Sequence, residues 1–504
     1  MSQGSSHRQI LRSTTIIGGA SVINILVGLL RMKVAAIVLG PAGVGLVGLL
    51  QQLMSTASTI AGMGMSSAGT RQIAEAAGHE DRATIAAARR ALLWATLVLA
   101  LGGALVLWLF REPLARLVLD DAGKAGLVGW VSAGVALSVA AGSQGAMLNG
   151  LRRIRDLARI SVLSALVSTL AAVPALHVWG EQAIIVLLLA PPTASFIFGH
   201  LYVARLPKED FPRASASDLK LQWCALLTLG ATLMLSGLIT VGGHLAVSTL
   251  VQKELGAESL GYFTAAWTLS VAYIGFVLGA MGADYYPRLT AVIHDKKAAT
   301  RLVNEQTEVA LLLAGPVFIA MMGLAPWIIE LLYSEAFAPA ADVLRWQLLG
   351  DILKVISWPL GFILLASGTG KTFILVEALG IGVFVLGVAL GLSAFGVTAA
   401  GMAFLALYIV YLPLVWWLGG RLVGFRWSHA VRFQAVLVIG AALFVAFIAN
   451  WSDLASAATG LALATALGAW ALIRLASASR AVGRLAPLAR MGDRIKTWIP
   501  QKTS

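Results

Sequence analysis

Long apolar segments alternate with short polar ones along almost the whole chain. Each apolar segment has about 20 residues or more, which is the length that a helix needs to cross the hydrocarbon core of a bilayer. The pattern therefore predicts an all-α polytopic membrane protein. The fourteen predicted transmembrane helices are 13–38, 43–69, 87–110, 125–148, 158–179, 183–205, 222–250, 260–285, 307–333, 343–366, 372–394, 396–418, 432–450 and 455–475.

The basic residues predict how these helices are oriented. Of the 37 Lys and Arg residues, 29 lie in the N-terminus, the C-terminal tail and every second loop, whereas 4 lie in the alternate loops. Cytoplasmic loops of membrane proteins carry such an excess of Lys and Arg. We therefore expect a multi-pass protein of the bacterial inner (plasma) membrane with both termini in the cytoplasm.

The composition excludes several classes of protein. The chain is 59% hydrophobic and 12% charged, with a mean hydropathy of +0.84, whereas soluble proteins carry roughly 25% charged residues. The net charge of +13 does not indicate nucleic acid binding, because the cations are dispersed over short loops. No loop is long enough to form a soluble catalytic domain, and the single Cys224 excludes an internal disulfide. The histidines lack metal-ligand spacing, so we expect a transporter without cofactor or metal rather than an enzyme.

Glycine-containing turns recur at a nearly constant spacing of 216 to 218 residues. The matching pairs are LGPAGVG (39–45) with LGAESLG (255–261), Asn149-Gly150 with Ser367-Gly368, and Gly180 with Gly396. We interpret the spacing as a six-plus-six duplication. It predicts two six-helix bundles, arranged as a parallel repeat around a central cavity, plus two extra C-terminal transmembrane helices.

The duplication divides the chain into four predicted parts. These are an N-terminal six-helix lobe (1–205), a C-terminal six-helix lobe (206–418), two additional transmembrane helices (419–475) and a basic cytoplasmic tail (476–504). From Arg474 to the end the sequence has seven Lys and Arg residues and one acid among scattered apolar residues. Two interpretations of this tail stay open: an amphipathic helix on the anionic cytoplasmic leaflet, or a disordered segment.

Two cations lie inside the first predicted helix. Arg31 and Lys33 are two residues apart, so they point to nearly opposite sides of a helix. A charge at the centre of a bilayer costs about 2.5–3.5 kcal/mol, which favours a position facing a cavity for Arg31. Lys33 either faces the cavity or extends to the outer interface. Asn24 lies seven residues before Arg31 on about the same face, and we take all three as candidate substrate-binding residues.

A second group of charges lies in the tenth and eleventh predicted helices. Asp351 and Lys354 are spaced i, i+3, so they share one helix face and can pair. Glu377 is an isolated carboxylate in the next helix, where it pairs with Lys354 or takes up a coupling proton. We predict that Lys354 binds substrate and that Asp351 and Glu377 act in gating or coupling. The alternative is that Asp351 and Lys354 only neutralise each other.

Amide side chains add candidates that carry no charge. Gln51 and Gln52 in the second helix are predicted to bind substrate by hydrogen-bonding to sugar hydroxyls, and Gln144 in the fourth helix is a similar candidate. Such residues also serve as packing contacts between membrane helices. Three intramembrane cations against two carboxylates favour an anionic cargo such as a diphosphate, because Arg and Lys are the usual phosphate ligands.

Three segments resemble known transporters. LGPAGVGLVGLLQQL (39–53) resembles the first two helices of Wzx-type polysaccharide flippases. WQLLGDILKVISWPLGFILLASG (346–368) resembles the tenth helix of the flippases of enterobacterial common antigen. In that helix an Asp and a Lys occupy the places of Asp351 and Lys354. DYYPRLTAV (284–292) is similar to the end of the eighth helix. The chain thus resembles Wzx-type lipid-linked oligosaccharide flippases of O-antigen or enterobacterial common antigen, in the multidrug/oligosaccharidyl-lipid/polysaccharide exporter superfamily.

The resemblance implies a function and partners. Its implied cargo is undecaprenyl-diphosphate-linked oligosaccharide, moved from the cytoplasmic to the periplasmic leaflet by alternating access for cell-surface lipopolysaccharide or exopolysaccharide. It implies roles for Lys33, Asp351 and Lys354, whereas Arg31 and Glu377 rest on the residues alone. The expected partners are the polyprenyl-diphosphate-linked oligosaccharide and the bilayer, with a polysaccharide polymerase and a chain-length regulator as candidate protein partners.

Two other functions stay open. A cation-coupled multidrug exporter of the same superfamily should need more cavity acids than cations, which the sequence does not show. A membrane-embedded glycan polymerase or ligase should carry a sizeable periplasmic loop with Arg or His, whereas the longest loops here are the predicted cytoplasmic ones. The sequence therefore favours the flippase.

Overall fold

The computed structural model describes residues 3–78, 82–206 and 216–478, and all regular secondary structure in these ranges is helical. The α-helices within them are α1 (Gln3–Gly62), α2 (Met65–Gly78), α3 (Arg82–Leu109), α4 (Arg111–Leu114), α5 (Ala125–Gly150), α6 (Ile154–Trp179), α7 (Ile184–Ala204), α8 (Ala216–Val292), α9 (Lys296–Gly323), α10 (Ala325–Leu332), α11 (Ala340–Ala366), α12 (Gly370–Phe395), α13 (Thr398–Val423), α14 (His429–Ala449) and α15 (Asp453–Ala478). The predicted all-α class is confirmed. The predicted tail beyond residue 478 lies outside the described residues.

Eleven helical stretches of the described residues are long and apolar enough to cross a membrane. Three of them have 45, 51 and 42 residues, about twice the length of one crossing. Each of these three contains a glycine with positive φ near its middle: Gly40, Gly180 and Gly256. Counting the halves of the three long stretches separately gives fourteen segments, the number that the hydropathy pattern predicts.

The duplication is visible in the backbone. Three pairs of residues that lie 216 apart have positive φ: Gly40 (62°) with Gly256 (81°), Arg152 (55°) with Gly368 (74°), and Gly180 (53°) with Gly396 (57°). Glycine adopts this conformation without a steric penalty, which explains why five of the six are glycines. The predicted match of Gly150 with Gly368 is wrong by two residues, because α5 continues through Gly150 and the turn comes at Arg152.

The helices group into two compact units. Unit 1 comprises Met1–Ala265, Glu330–Ala338 and Phe384–Ala400, and unit 2 comprises Ala266–Ile329, Pro339–Val383 and Gly401–Ser504. The boundary in the chain falls inside α8, so the division into lobes at residue 205 stays a prediction.

The central helix of unit 1 is α5, which packs against α2, α3 and α7, while α6 packs against α1 and α7. Four valines of α5, at 128, 131, 135 and 139, are at most 7% exposed. They recur every three or four residues and so form one face of the helix. This leaves other faces of α5 free to carry polar residues.

In unit 2, α11, α14 and α15 all pack against α9. Gly323 of α9 and Gly460 of α15 approach so closely that a Cβ on either would lie within 3.0 Å of the Cα of the other. Arg345 of α11 forms ion pairs with Asp342 at 3.1 Å and with Asp453, the first residue of α15, at 2.6 Å. The two additional helices are therefore an integral part of unit 2.

Candidate functional site

A cavity of about 480 Å³ lies in unit 1, where α1, α2, α5 and α8 come together. Its volume is within the range of about 300–1,000 Å³ that is typical of small-ligand sites. The lining residues that the structure describes share one property, since none of them is charged or aromatic. They are Gln51, Met54, Ser55, Ser58, Thr59, Gly62, Gly64, Met65, Ser66, Ser67, Ser138, Val139, Gly142 and Met234.

The periodicity of α1 places the polar residues of its second half on the cavity. Gln51, Ser55 and Ser58 are spaced i, i+4 and i+7, so they share one helix face. Gln52 is one position further on, points about 100° away, and is not among the lining residues. The structure thus separates the two predicted glutamines. Sequence reasoning missed Ser55 and Ser58, although their spacing from Gln51 was a signal that could have identified them.

The other walls come from α5 and α8. Ser138 and Gly142, one turn apart on α5, line the cavity together with Val139, the last of the four buried valines. Gly64 lies directly against Gly230 of α8, because a Cβ at Gly64 would collide with the backbone of Gly230 and a Cβ at Gly230 would collide with the carbonyl oxygen of Met63. This close approach brings Met234, one turn beyond Gly230, to the edge of the cavity.

Asn24 and Arg31 bind α6 in register. Asn24 Nδ2 donates a hydrogen bond to Ser161 Oγ at 2.6 Å, and Arg31 Nη1 donates to Ser168 Oγ at 3.1 Å. Both pairs are 137 residues apart, so the two helices run in the same direction and keep the same faces in contact over two turns. Arg31 Nε and Asn24 Oδ1 are buried and have no partner among the described residues. The side chain of Arg31 therefore retains hydrogen-bonding capacity that protein groups do not use.

Lys33 points elsewhere. Its Nζ donates to the backbone carbonyl of Glu330 at 3.0 Å in a solvent-accessible position. Arg31 and Lys33 thus point in different directions, as expected, since one contacts Ser168 of α6 and the other contacts Glu330 of α10. Neither residue lines the cavity that contains Gln51.

Asp351 lies in a fully buried polar stretch of α11 in unit 2. It is 0% exposed, and its Oδ2 accepts a hydrogen bond from Ser270 Oγ at 2.6 Å, while Oδ1 has no partner among the described residues. Gln347, one turn earlier, is also 0% exposed, and both of its amide atoms are unpartnered within the same described ranges. Unsatisfied buried polar groups cost about 1–3 kcal/mol each. This polar stretch is therefore energetically expensive for the fold.

Lys354 lies one turn beyond Asp351 on the same face. Its Nζ is 5.9 Å from the ring centre of Phe404 and 6.0 Å from that of Tyr408, close to the limit of cation–π contact. Asp351 and Glu377 both interact with this ammonium electrostatically, but neither forms a direct ion pair with it. Asp351 and Lys354 are one turn apart on one helix face, but they do not form the close ion pair that the alternative interpretation of their spacing requires.

Glu377 of α12 is held by a neighbouring helix. Its Oε1 accepts a hydrogen bond from the Tyr411 hydroxyl of α13 at 2.6 Å. Unit 2 thus brings Asp351, Lys354 and Glu377 into one electrostatic group in the middle of three apolar helices. Charged groups in such positions are costly and usually serve transport or ion pathways.

Comparison with known proteins agrees with these observations. The family model described as "Polysaccharide biosynthesis protein" matches residues 10–292. The lipid III flippase of Escherichia coli (strain K12) is 25% identical over 407 residues, which cover 78% of this chain and 94% of that protein. The lipid III flippase of Shigella flexneri matches to the same extent.

Solved structures with low sequence identity share the fold. The lipid II flippase MurJ in an inward closed conformation has a TM-score of 0.70 at 13% identity, with 92% of this chain and 99% of that chain covered. A multidrug resistance MATE family transporter of the MOP superfamily in an inward-facing conformation has a TM-score of 0.69 at 16% identity, with coverage of 83% and 99%. These neighbours confirm the fold of two helical bundles.

The length of the match to the family model shows to which family the chain belongs. It extends over more than half of the 504 residues, and it includes α1, α5, α6 and the cavity of unit 1. The apolar helices, the buried polar groups and the relatives together identify a multi-pass membrane transporter. This chain belongs to the polysaccharide biosynthesis protein family.

Proposed function

We propose that this protein is a flippase that moves a polyprenyl-diphosphate-linked oligosaccharide from the cytoplasmic to the periplasmic leaflet of the bacterial inner membrane by alternating access. The names of its relatives support the reaction class, because both lipid III and lipid II flippases match it. In this proposal both termini lie in the cytoplasm, and the oligosaccharide is delivered for assembly of a cell-surface polysaccharide such as O-antigen or exopolysaccharide.

The observation that carries the proposal is the state of Lys354. Its ammonium lies in a transmembrane helix beside two aromatic rings and forms no direct ion pair with the described carboxylates. A cation at the bilayer centre costs about 2.5–3.5 kcal/mol on insertion scales. An anionic ligand would offset that cost, and a diphosphate offers several strong acceptor oxygens to an ammonium.

Arg31 supplies a second cation for the same kind of ligand. Among the described residues its one hydrogen bond is the Nη1 contact to Ser168, and this contact is to a neutral hydroxyl. A guanidinium has five donors, so most of them remain available to phosphate oxygens. Lys33, bonded to a backbone carbonyl in an exposed position, is a third candidate for the head group.

Asp351 and Glu377 are assigned gating or coupling roles. Both act on the Lys354 ammonium electrostatically without touching it, and each is held by a hydroxyl group, of Ser270 and Tyr411 respectively. Their charge states therefore change how strongly Lys354 holds an anion. Since a ligand shifts a two-state equilibrium only by its differential affinity, such tuning is a means of releasing the cargo.

The test is mass spectrometry of diphosphate-linked oligosaccharides in cells depleted of the protein and complemented with variants. Depletion should cause a complete lipid-linked oligosaccharide to accumulate, and wild type should relieve it. Lys354→Met should fail to relieve it, whereas Lys354→Arg should restore part of the function. Lys371→Met, which removes an exposed cation at the start of α12, serves as the matched control.

Two results would contradict the proposal. The first is normal relief of accumulation by Lys354→Met, which would remove the cationic head-group site. The second is no accumulation on depletion together with altered export of small organic cations, which would move the protein to the drug-exporter branch. Mass spectrometry also names the glycan, and cross-linking in the same cells would show whether a polymerase or a chain-length regulator binds the protein.

A further inference from the structure

We infer that the cavity of unit 1 is a subsite for the uncharged saccharide part of the cargo, separate from the cations that hold the diphosphate. The inference rests on the proposed function and adds to it where the sugar binds and which side chains recognise it. It is carried by the chemistry of the cavity wall and by a comparison of equivalent positions in the two halves of the chain.

The part of the cavity wall that the structure describes is neutral and rich in hydroxyl groups. Five serines and a threonine line it together with the amide of Gln51. Each hydroxyl is one donor and two acceptors, and the amide is both donor and acceptor. Ser58 Oγ is buried without a partner among the described residues. The wall therefore offers mixed donors and acceptors of the kind that sugar hydroxyls require.

The same wall is poorly suited to other ligands of such transporters. Among the lining residues that the structure describes there is no cation to stabilise a phosphate, and no carboxylate or aromatic ring to hold an organic cation. Desolvating a charge in this cavity without an opposite charge would be costly. An uncharged polyhydroxylated group meets neither penalty.

The duplication provides an internal comparison. The positive-φ pairs establish an offset of 216 residues, and the residue 216 positions after Ser138 is Lys354. At the same offset Gln51 corresponds to Trp267, whose ring meets Phe404 edge-on at 5.3 Å. The equivalent positions are thus neutral in unit 1 and cationic and aromatic in unit 2. This divergence assigns saccharide recognition to the cavity of unit 1, and it leaves anion recognition to Lys354 and to Arg31 and Lys33, which do not line that cavity.

The cavity also keeps space that the packing does not need. A Cβ at Gly142 would meet no atom closer than Ser66 Cβ at 4.0 Å, and one at Gly62 would meet none closer than Val139 Cγ2 at 3.8 Å. Alanine would therefore fit at both positions without disturbing the helices. Glycine at both sites keeps volume open for a ligand.

Cysteine protection tests the inference directly. The single native cysteine is replaced by Cys224→Ser, and Ser138→Cys places a nearly isosteric thiol in the cavity wall of the full-length protein in nanodiscs. Maleimide labelling is followed with two probes, undecaprenyl diphosphate and undecaprenyl-diphosphate-N-acetylglucosamine. Ala74→Cys, at an exposed position of α2 that does not line the cavity, is the control. Ser58→Cys provides a second cavity position if the first variant does not fold.

The expected result depends on the sugar. At ten times its Kd, the saccharide-bearing probe should slow labelling of Ser138→Cys by about tenfold, because the labelled fraction follows the unoccupied site. Bare undecaprenyl diphosphate should leave that rate unchanged, and neither probe should affect Ala74→Cys. Equal protection by both probes would overturn the inference, because the cavity would then be an anion site.

Failure of the inference and failure of the proposed function give different results. If the wild type retains the saccharide-bearing probe but neither cavity cysteine is protected, the saccharide lies elsewhere and only the inference falls. If the wild type retains neither probe, the proposed function falls and the inference with it.

Discussion

Removal of the Ser270 hydroxyl should destabilise unit 2 more than removal of any ordinary buried hydroxyl. Asp351 is 0% exposed, and Ser270 Oγ, at 2.6 Å, is its one hydrogen-bond donor among the described residues. Ser270→Ala leaves a buried carboxylate without any donor there. Hydrogen bonds to charged groups contribute about 1.5–3 kcal/mol, so we predict a loss of that size. It corresponds to a change of roughly 10- to 150-fold in the unfolding equilibrium.

Ser357→Ala is the matched control. Ser357 is as buried as Ser270, at 1% exposure for each, but its hydroxyl donates at 3.1 Å to the backbone carbonyl of Lys354 in the same helix. That carbonyl can still accept the helical hydrogen bond in the variant. Alanine is also the best helix former. We therefore expect Ser357→Ala to cost less than about 1 kcal/mol.

The assay is equilibrium unfolding of the purified protein in mixed micelles with increasing dodecyl sulfate. The free energy of unfolding is compared for wild type, Ser270→Ala, Ser357→Ala, Asp351→Asn and the double variant of Ser270 and Asp351. With Asn at position 351 the acceptor is neutral, so Ser270→Ala should cost only about 1 kcal/mol. The reasoning is refuted if Ser270→Ala costs no more than Ser357→Ala, or costs the same with Asp and Asn at 351.

Three further predictions use the same titration. Gly460→Leu should cost about 1–3 kcal/mol in unfolding free energy by overpacking the contact of α15 with α9. The control Gly440→Leu should cost little, because no atom lies within 4 Å of its Cβ position. Equal losses of stability in the two variants would contradict this prediction. Arg345→Gln should cost at most about 1 kcal/mol in unfolding free energy, since its partner Asp453 is half-exposed. This cost should shrink when the salt concentration rises from about 0.05 to about 0.5 M, because salt screens exposed charges. A cost that does not depend on salt would exclude the ion pair as its source. Tyr285→Phe should cost about 1 kcal/mol, because the hydroxyl of this fully buried side chain donates at 2.9 Å to a backbone carbonyl; an unchanged midpoint would show that the bond contributes nothing.

The sequence alone determined the fold class and the number of membrane segments. Hydropathy is a property of each residue and the bilayer has a fixed thickness, so segment length and polarity report a crossing without knowledge of the neighbouring helices. The repeat could also be recognised, because a bend with positive φ favours glycine, and glycines mark the bends at 40 and 256. The equivalent turn at Arg152 was missed, since the side chain there gives no such signal.

Only the tertiary structure decided which side chains share a site. Arg31 and Asn24 find their partners 137 residues away on α6, and no local pattern specifies that contact. Gln51 and Gln52 are chemically identical in the sequence, yet only Gln51 lies among the cavity residues. The face that a membrane helix turns inward depends on how distant helices pack against it, through van der Waals contact and hydrogen bonds between helices. Hydropathy cannot supply this information, because lipid and protein interior are both apolar.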